Sequence, residues 1–337
     1  MKEVLLLSVI IPTSNRPEML AAVLDSLRTQ VPVTFGWEII VVDNGQGDAA
    51  ERVVQEQQQA VPVPVQCVSE PRPGLHHARH RGAACAMGQY LSFLDDDVIA
   101  APTWVAGVGR QSRGAVDAIA GRVLPRWDCP PPKWLVRMPT CLNNLSLLDH
   151  GARPGEIEAE RAVGCNLTIS KQALYELGGF HPDGFPPALI RYRGDGENGL
   201  MRKFAQRGLR CAYEPEALVW HCISATRVRL EYHIARAFNQ GISRSYTQTR
   251  VAHGLYGGEL SGRNERGSRL GSAALLLSTG GPIARRLRTL RATLFYRLYR
   301  ERLTRLQAAN RDGYAFHQRE IRRDPDLLSY VLQDVYL

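Results

Sequence analysis

The sequence predicts an α/β fold, a doubly wound sheet flanked by helices, with a helical C-terminal extension. Three observations predict it. Short apolar, β-rich runs alternate with helical patterns over the first hundred residues; those runs break off at polar or acidic residues; and the chain turns mainly helical from Leu230 onward. At 337 residues, 44% hydrophobic and 22% charged, the composition is that of an ordinary globular chain large enough to bury a sizeable core.

Taken in order, Val4 to Ile11 is a continuous apolar run that stops at Pro12 and Thr13, which reads as a strand buried on both faces. Pro17 fits a first helical turn capped by Ser14 or Asn15, and Met19, Leu20, Val23, Leu24 and Leu27 follow at helical spacing. A second strand, Ile39 to Val42, ends in Asp43, Asn44 and Gly45. A polar helix near Asp48 to Gln59, a strand near Val63 to Val68 and a helix near Leu75 to Met87 come next. The strand Tyr90 to Leu94 then runs straight into Asp95, Asp96 and Asp97. In open α/β sheets ligands bind at the carboxyl ends of the strands, so Pro12 and Thr13, Asp43 and the acidic triplet are expected to converge on one edge.

Beyond residue 122 the texture changes to loops, with Pro130 to Pro132 ahead of Lys133 and Trp134. Order is expected to return with a strand over Gly164 to Ser170 and a helix Gln172 to Leu177 closed by Gly178 and Gly179. A loop with three prolines leads to Gly194, Asp195, Gly196 and Glu197, then a helix ending at Gly208 and one or two strands over 209–221. From Leu230 the reading is helical, with a glycine-rich break from Gly254 to Gly271. The expected division is a catalytic domain over 1–225, its nucleotide-binding half 1–121 and acceptor-binding half 122–225, and a basic helical region over 226–337. The seven cysteines show neither a CxxC pair nor a Cys/His ligand pattern, which suits isolated thiols in a reducing cytosol. The longest uncharged stretch, Leu270 to Ala284, is too short and glycine-rich to span a bilayer, and the apolar run at the start lacks a basic leader and cleavage site. A soluble, unsecreted, cytoplasmic protein is expected.

Chemistry concentrates in the acidic triplet. Three adjacent carboxylates at a strand end repel one another, and a hard divalent cation completed by diphosphate oxygens is one relief. A solvated acidic turn or helix N-terminus is the other. Asp43 at the neighbouring strand end shifts the balance toward the site.

The first 120 residues resemble family 2 glycosyltransferases of the GT-A fold. The resemblance rests on Ser8 to Arg16 (SVIIPTSNR), Glu38 to Gly45 (EIIVVDNG), Gly74 to Gly82 (GLHHARHRG) and Tyr90 to Val98 (YLSFLDDDV), in family order. It extends less specifically through Gly164 to Phe180, the Gly194 to Glu197 element and His221, covering roughly residues 4 to 250. It implies a GT-A type mixed sheet, with Pro12, Thr13 and Arg16 around the nucleotide and Asp43 accepting from the base, typically the imide of uracil or thymine. Arg79 matches a position that contacts base or diphosphate. Asp95 and Asp96 would lie by the ribose and the sugar, and Asp97 would bind Mg²⁺ or Mn²⁺. His221 matches a histidine that completes the metal site in some members, and a buried structural histidine is the equal alternative.

The family's catalytic base is an acid at the start of a helix, usually in a Glu-Asp pair; here the element is Asp195-Gly196-Glu197. The resemblance puts Asp195 at the base position with Glu197 in reserve, and either could simply be a helix-start acid. His80, where the family often has Asn, and Gln46, where Ser is common, put the nucleotide's identity in doubt. The implied reaction is inverting transfer from a UDP- or dTDP-sugar to a saccharide, lipid-linked or other hydroxyl acceptor, in cell-envelope polysaccharide, glycolipid or other glycoconjugate synthesis. A carboxylate takes the acceptor proton while the metal neutralises the departing diphosphate. The loops Arg122 to His150 and Gly179 to Arg193, carrying Trp127, Trp134, Phe180, Phe185 and Tyr192, are where acceptor choice is expected; packing of those loops is the competing role for each aromatic.

Two other readings compete. A sugar nucleotidyltransferase would need a glycine-rich phosphate loop after the first strand, and Pro12 to Pro17 contains no glycine. A non-catalytic protein docking on anionic membrane or nucleic acid would rest on the charge, which is uneven. Residues 266–323 carry 14 arginines and three acids, a net +11 within a chain of +9, leaving −2 elsewhere. Arginines of residues 285–305 alternate with leucines and Phe295 in an amphipathic pattern, so peripheral attachment to the inner membrane face is expected there, with packing of the helix against the catalytic domain as the equal alternative. No recognisable nucleic-acid module accompanies it, and no nucleic-acid partner is expected.

Overall fold

A computed structural model describes residues 5–114, 116–256 and 282–337, without the side chains of 5, 282–296 and 298. The chain divides into two compact units. The first comprises the described residues up to Asp128, then Ser146–Ile223 and Ser329–Leu337; the second comprises Cys129–Leu145 and Ser224–Leu328. The first unit thus gives up a short internal segment and takes back the final nine residues, a division that composition does not signal.

The first unit is a mixed sheet covered by helices. Strands β1 (Leu5–Thr13), β2 (Gly36–Asp43), β3 (Val65–Ser69) and β4 (Tyr90–Leu94) run parallel. Helices α1 (Pro17–Arg28), α2 (Ala49–Gln57) and α3 (Leu75–Cys85) lie between them in sequence. β1 sits between β2 and β4, and Val9, Ile10 and Ile11 are fully buried, which is why the run is apolar but for Ser8, itself buried and donating to Glu38 at 2.6 Å. Leu20, Val23, Leu24 and Leu27 form the buried stripe of α1, and Pro17 occupies its first position as expected.

β5 (Val98–Ala100), α4 (Trp104–Ser112) and β6 (Ala118–Trp127) follow. The stretch beyond 122 is therefore not all loop. Arg122, Pro125 and Arg126 break the apolar pattern of β6, yet the strand continues past a register irregularity between Gly121 and Val123 against β9 (Cys211–Ile223). The short β7 (Gly155–Glu156), β8 (Asn166–Ser170), α7 (Lys171–Glu176) and α8 (Glu197–Gln206) complete the unit. Among the described residues the strand order is β3-β2-β1-β4-β8-β6-β9-β5, with β7 on β9. β8 runs antiparallel to β4 and β6, so the sheet is mixed.

The second unit contains α5 (Lys133–Val136), α6 (Pro139–Asn143), α9 (Leu230–Ala252) and α10 (Pro282–Arg323). α9 and α10 pack backbone to backbone where Gly241 meets Asn310 and Gly313 meets Phe238; a Cβ at either glycine would collide with main chain. His317 bonds Ser245 at 2.8 Å, and the fully buried Arg250 stacks on Tyr246 and Tyr256. The glycine-rich break expected up to Gly271 falls largely outside the described residues, as do the side chains of Arg285, Arg286, Arg288 and Arg291; the helix expected there is present as backbone. α11 (Pro325–Val331) leads to the terminal residues of the first unit. Among the described residues no helix is long and apolar enough to cross a membrane.

Candidate active site

Parallel pairing brings the strand ends together. Thr13 is in register with Asp43, and Asp43 with Ser69, so the polar residues that end β1, β2 and β3 sit side by side at one carboxyl edge. β4 pairs with β1 on its other side and delivers Asp95, Asp96 and Asp97 to the same edge. Pro12, opposite Val42, is part of the strand itself. Asp43 accepts from the Gly45 backbone at 2.8 Å, while the Asn44 amide ties the turn to the carbonyls of Glu70 and Arg72 at 2.6 and 2.7 Å.

The three acids of the triplet have distinct partners. Asp96, 5% exposed, accepts from Thr13 Oγ1 at 2.8 Å and from Arg16 Nη1 at 3.0 Å. Its carboxyl is pushed up to about 6, chiefly by burial, against the opposing pull of Arg16, with the neighbouring acids adding to the rise. Asp97, also 5% exposed, has Oδ1 3.3 Å from His221 Nε2 and Oδ2 3.6 Å from Arg16. His221 arrives because β9 pairs antiparallel with β5, directly opposite Val98. Asp95 is more open and accepts from Arg79 Nη2 at 3.1 Å.

Asp97 and His221 offer a carboxylate oxygen and an imidazole nitrogen at adjacent positions, a donor pair that suits a divalent cation. Among the described residues no group of three or more such side chains forms a complete cage, so the other positions would fall to diphosphate oxygens and water.

Arg79 is the hub toward the other half of the site. It is 2% exposed, donates to Asp95 and to the Gly164 carbonyl at 3.1 Å, lies over the Phe180 ring at 4.9 Å, and has Nη1 3.9 Å from Glu197 Oε2. Glu197 is the first residue of α8, and burial raises its carboxyl pKa, with Arg79 opposing and Asp183 and Asp95 adding to the rise. Asp195 has a different environment. Its Oδ1 is 2.8 Å from Nδ1 of the fully buried His181, and its Oδ2 is 3.4 Å from Arg202. Gly199 lets these groups meet, since a Cβ there would strike both the His181 ring and Asp195 Oδ1. Two acids two residues apart thus face different ways, Glu197 toward Arg79 and Asp195 into an ion-paired cluster. Adjacency in sequence could not separate them.

Sequence reasoning missed His181, Arg202 and the Asp183–Arg193 pair at 2.7 Å. Only the Gly178-Gly179 turn marked the place, and nothing local signals that the next polar residue turns inward. His80, singled out as a departure, accepts the Phe180 backbone N–H at 2.8 Å and is held neutral, burial pushing it down to about 3. Phe180 itself is core, edge-on to Phe93 at 4.7 Å, while Phe185 and Tyr192 stand together at 6.3 Å in the loop before α8. Trp134, in the second unit, lies edge-on to His233 with the Arg302 guanidinium over its ring.

A family model described as glycosyl transferase family 2 matches residues 8–178. Among curated relatives, a glucosyl-dolichyl phosphate glucuronosyltransferase of Haloferax volcanii is 24% identical over 209 residues, 61% of this chain and 66% of its own length. The succinoglycan biosynthesis protein ExoM of Rhizobium meliloti is 25% identical over 72% of this chain and 75% of its own. Among solved structures, the mannosyltransferase PcManGT from Pyrobaculum calidifontis, in complex with GDP-Man and Mn²⁺, superposes with a TM-score of 0.57 at 19% identity. That match covers 93% of this chain and 86% of the other.

Proposed function

This chain belongs to glycosyl transferase family 2, and from that premise we propose that it is an inverting, divalent-metal-dependent glycosyltransferase using a nucleoside-diphosphate sugar. The observation that carries the reading is the meeting of Thr13, Asp43 and Asp95–Asp97 at one sheet edge, with Glu197 and Asp95 on the same buried arginine.

In this reading Thr13 and Arg16 border the nucleotide, Asp43 accepts from the base, and Asp95 and Asp96 face ribose and sugar. Asp97 and His221 would hold Mg²⁺ or Mn²⁺, whose charge offsets that of the departing nucleoside diphosphate. Glu197 is the better candidate for the base. Burial raises its pKa, which makes it the stronger proton acceptor, and its carboxylate lies 3.9 Å from a group that also holds the donor-side Asp95. Asp195, with both oxygens engaged by His181 and Arg202, is assigned to holding the start of α8. The reaction needs one carboxylate to take the acceptor proton as the hydroxyl attacks the anomeric carbon, with the diphosphate leaving from the opposite face.

The carboxylate of Asp43 suits a base presenting an imide N–H, which favours a UDP- or dTDP-sugar. The names of the two curated relatives, one acting on a dolichyl phosphate glycoside and one in succinoglycan synthesis, support a lipid-linked or envelope saccharide acceptor. The reading is tested by incubating the protein with UDP-, dTDP- and GDP-sugars and Mn²⁺ and measuring nucleoside diphosphate release. Release from one donor, lost in Asp97→Ala, is expected. Full activity in Asp97→Ala would remove the metal assignment, and no release from any donor would contradict the donor class.

A further inference from the structure

Building on the reading of Asp95–Asp97 as the donor and metal edge, we propose that Arg16 is a built-in counter-ion that must leave the acids for a metal to enter and then serves the donor diphosphate. Metal and nucleotide are thereby loaded as a pair.

The geometry supplies each part. Arg16 Nη1 reaches both Asp96 at 3.0 Å and Asp97 at 3.6 Å, so one guanidinium is shared by two nearly buried carboxylates and offsets part of their charge. Yet its own side chain is 51% exposed, unlike the acids at 6% and 7%. It stands at the residue before α1 and makes no capping bond to that helix, so swinging outward breaks no secondary structure. Arg79, by contrast, is buried and fixed to Asp95 and a backbone carbonyl.

A divalent cation on Asp97 and the guanidinium on the same carboxylate would be like charges at close range, which is unfavourable even in a polar setting. Entry of the metal therefore costs the Arg16 contacts. A diphosphate offsets that loss, because the planar fork of arginine matches phosphate oxygens as well as carboxylate oxygens. Binding of either ligand then favours binding of the other, and the coupling is reciprocal.

The test measures Mn²⁺ binding to the full chain by the electron paramagnetic resonance of free Mn²⁺, with and without UDP, dTDP or GDP. Arg16→Gln is expected to bind Mn²⁺ alone roughly twofold to fivefold more tightly than the native protein, the scale of losing a half-exposed ion pair. Adding nucleoside diphosphate should then improve Mn²⁺ affinity less in Arg16→Gln than in the native protein. Arg16→Lys, which keeps the charge without the fork, should also lose part of that coupling. Arg72→Gln is the charge control, because Arg72 follows the neighbouring strand and pairs with Glu70 at 2.8 Å; it should leave Mn²⁺ affinity unchanged. Unchanged or weaker Mn²⁺ binding in Arg16→Gln, or the same gain in Arg72→Gln, overturns the role of Arg16. Absence of Mn²⁺ binding by the native protein with any of the nucleotides overturns the metal reading as well.

Discussion

Glu197 and Asp195 show how much a single side chain's surroundings decide. Glu197→Gln is expected to cut turnover by roughly 10²–10⁴, the range for removing a general base, with donor binding kept. Asp195→Asn is expected instead to destabilise, because breaking one side of a buried charge pair costs about 3–5 kcal/mol; chemical denaturation separates the two. The pH profile carries the same distinction. A carboxyl whose folded pKa is raised loses its basic form as pH falls through that raised value, so the acidic limb of kcat/KM should lie above the ordinary glutamate range and disappear in Glu197→Gln. His80 works in the opposite sense. Its folded pKa, about 3, lies below the ordinary 6.5, so the unfolded chain binds the extra proton. The stability it holds is complete above pH 6.5 and lost as pH falls toward 3, by up to about 1.4 kcal/mol per pH unit. His80→Asn, which keeps an acceptor for the Phe180 N–H, should flatten that acid slope; an unchanged slope would place the titration elsewhere. Of these residues Asp43 and the acidic triplet were legible, because each follows an apolar run directly. His181 was not, because its partner is set by the entry of α8 and not by its neighbours.

At the scale of elements, β1, β2 and β4 were readable because both their faces are buried and their runs are apolar apart from one buried polar residue each, Ser8, Glu38 and Ser92. β6 was not, since Arg122 and Arg126 point away from the core while the backbone keeps pairing past an irregularity at Gly121. The helix Leu75–Cys85 was placed correctly, but its three histidines were not explained by sequence alone. His76 and His80 are both pushed down to about 3 by burial and accept backbone N–H groups from Asp183 and Phe180. They tie α3 to the loop that leads to Glu197. A second tie is the terminal segment, which composition could not assign to the first unit. The Lys203 ammonium on α8 bonds Asp334 at 2.7 Å and the Leu177 carbonyl at 3.2 Å, and Tyr336 donates to the Gly178 carbonyl and packs on His181. Lys203→Ala should therefore lower stability by about 1–3 kcal/mol, the cost of leaving a buried carbonyl short of a donor. An unchanged denaturation midpoint would show that the segment braces nothing.

For the whole molecule, the net charge of +9 hides two different parts. The acids proposed for the chemistry sit in the first unit, whereas α10 alone has 12 arginines against three acids. A polyanion partner is thus a question about that helix, and sedimentation with vesicles containing anionic lipid addresses it. Salt-sensitive binding is expected, and no binding would remove the membrane reading. The transfer chemistry stands apart from it and has a more direct test in ligand-dependent melting, since a ligand selective for the folded state raises the midpoint by mass action. The decisive measurement is the melting temperature with UDP, dTDP and GDP, each in Mn²⁺ and in chelator. A rise with at least one nucleotide that needs Mn²⁺, and that Asp97→Ala abolishes, is the expected result. No shift with any of them, or the same shift in chelator, would contradict a metal-assisted nucleotide-sugar site at this edge.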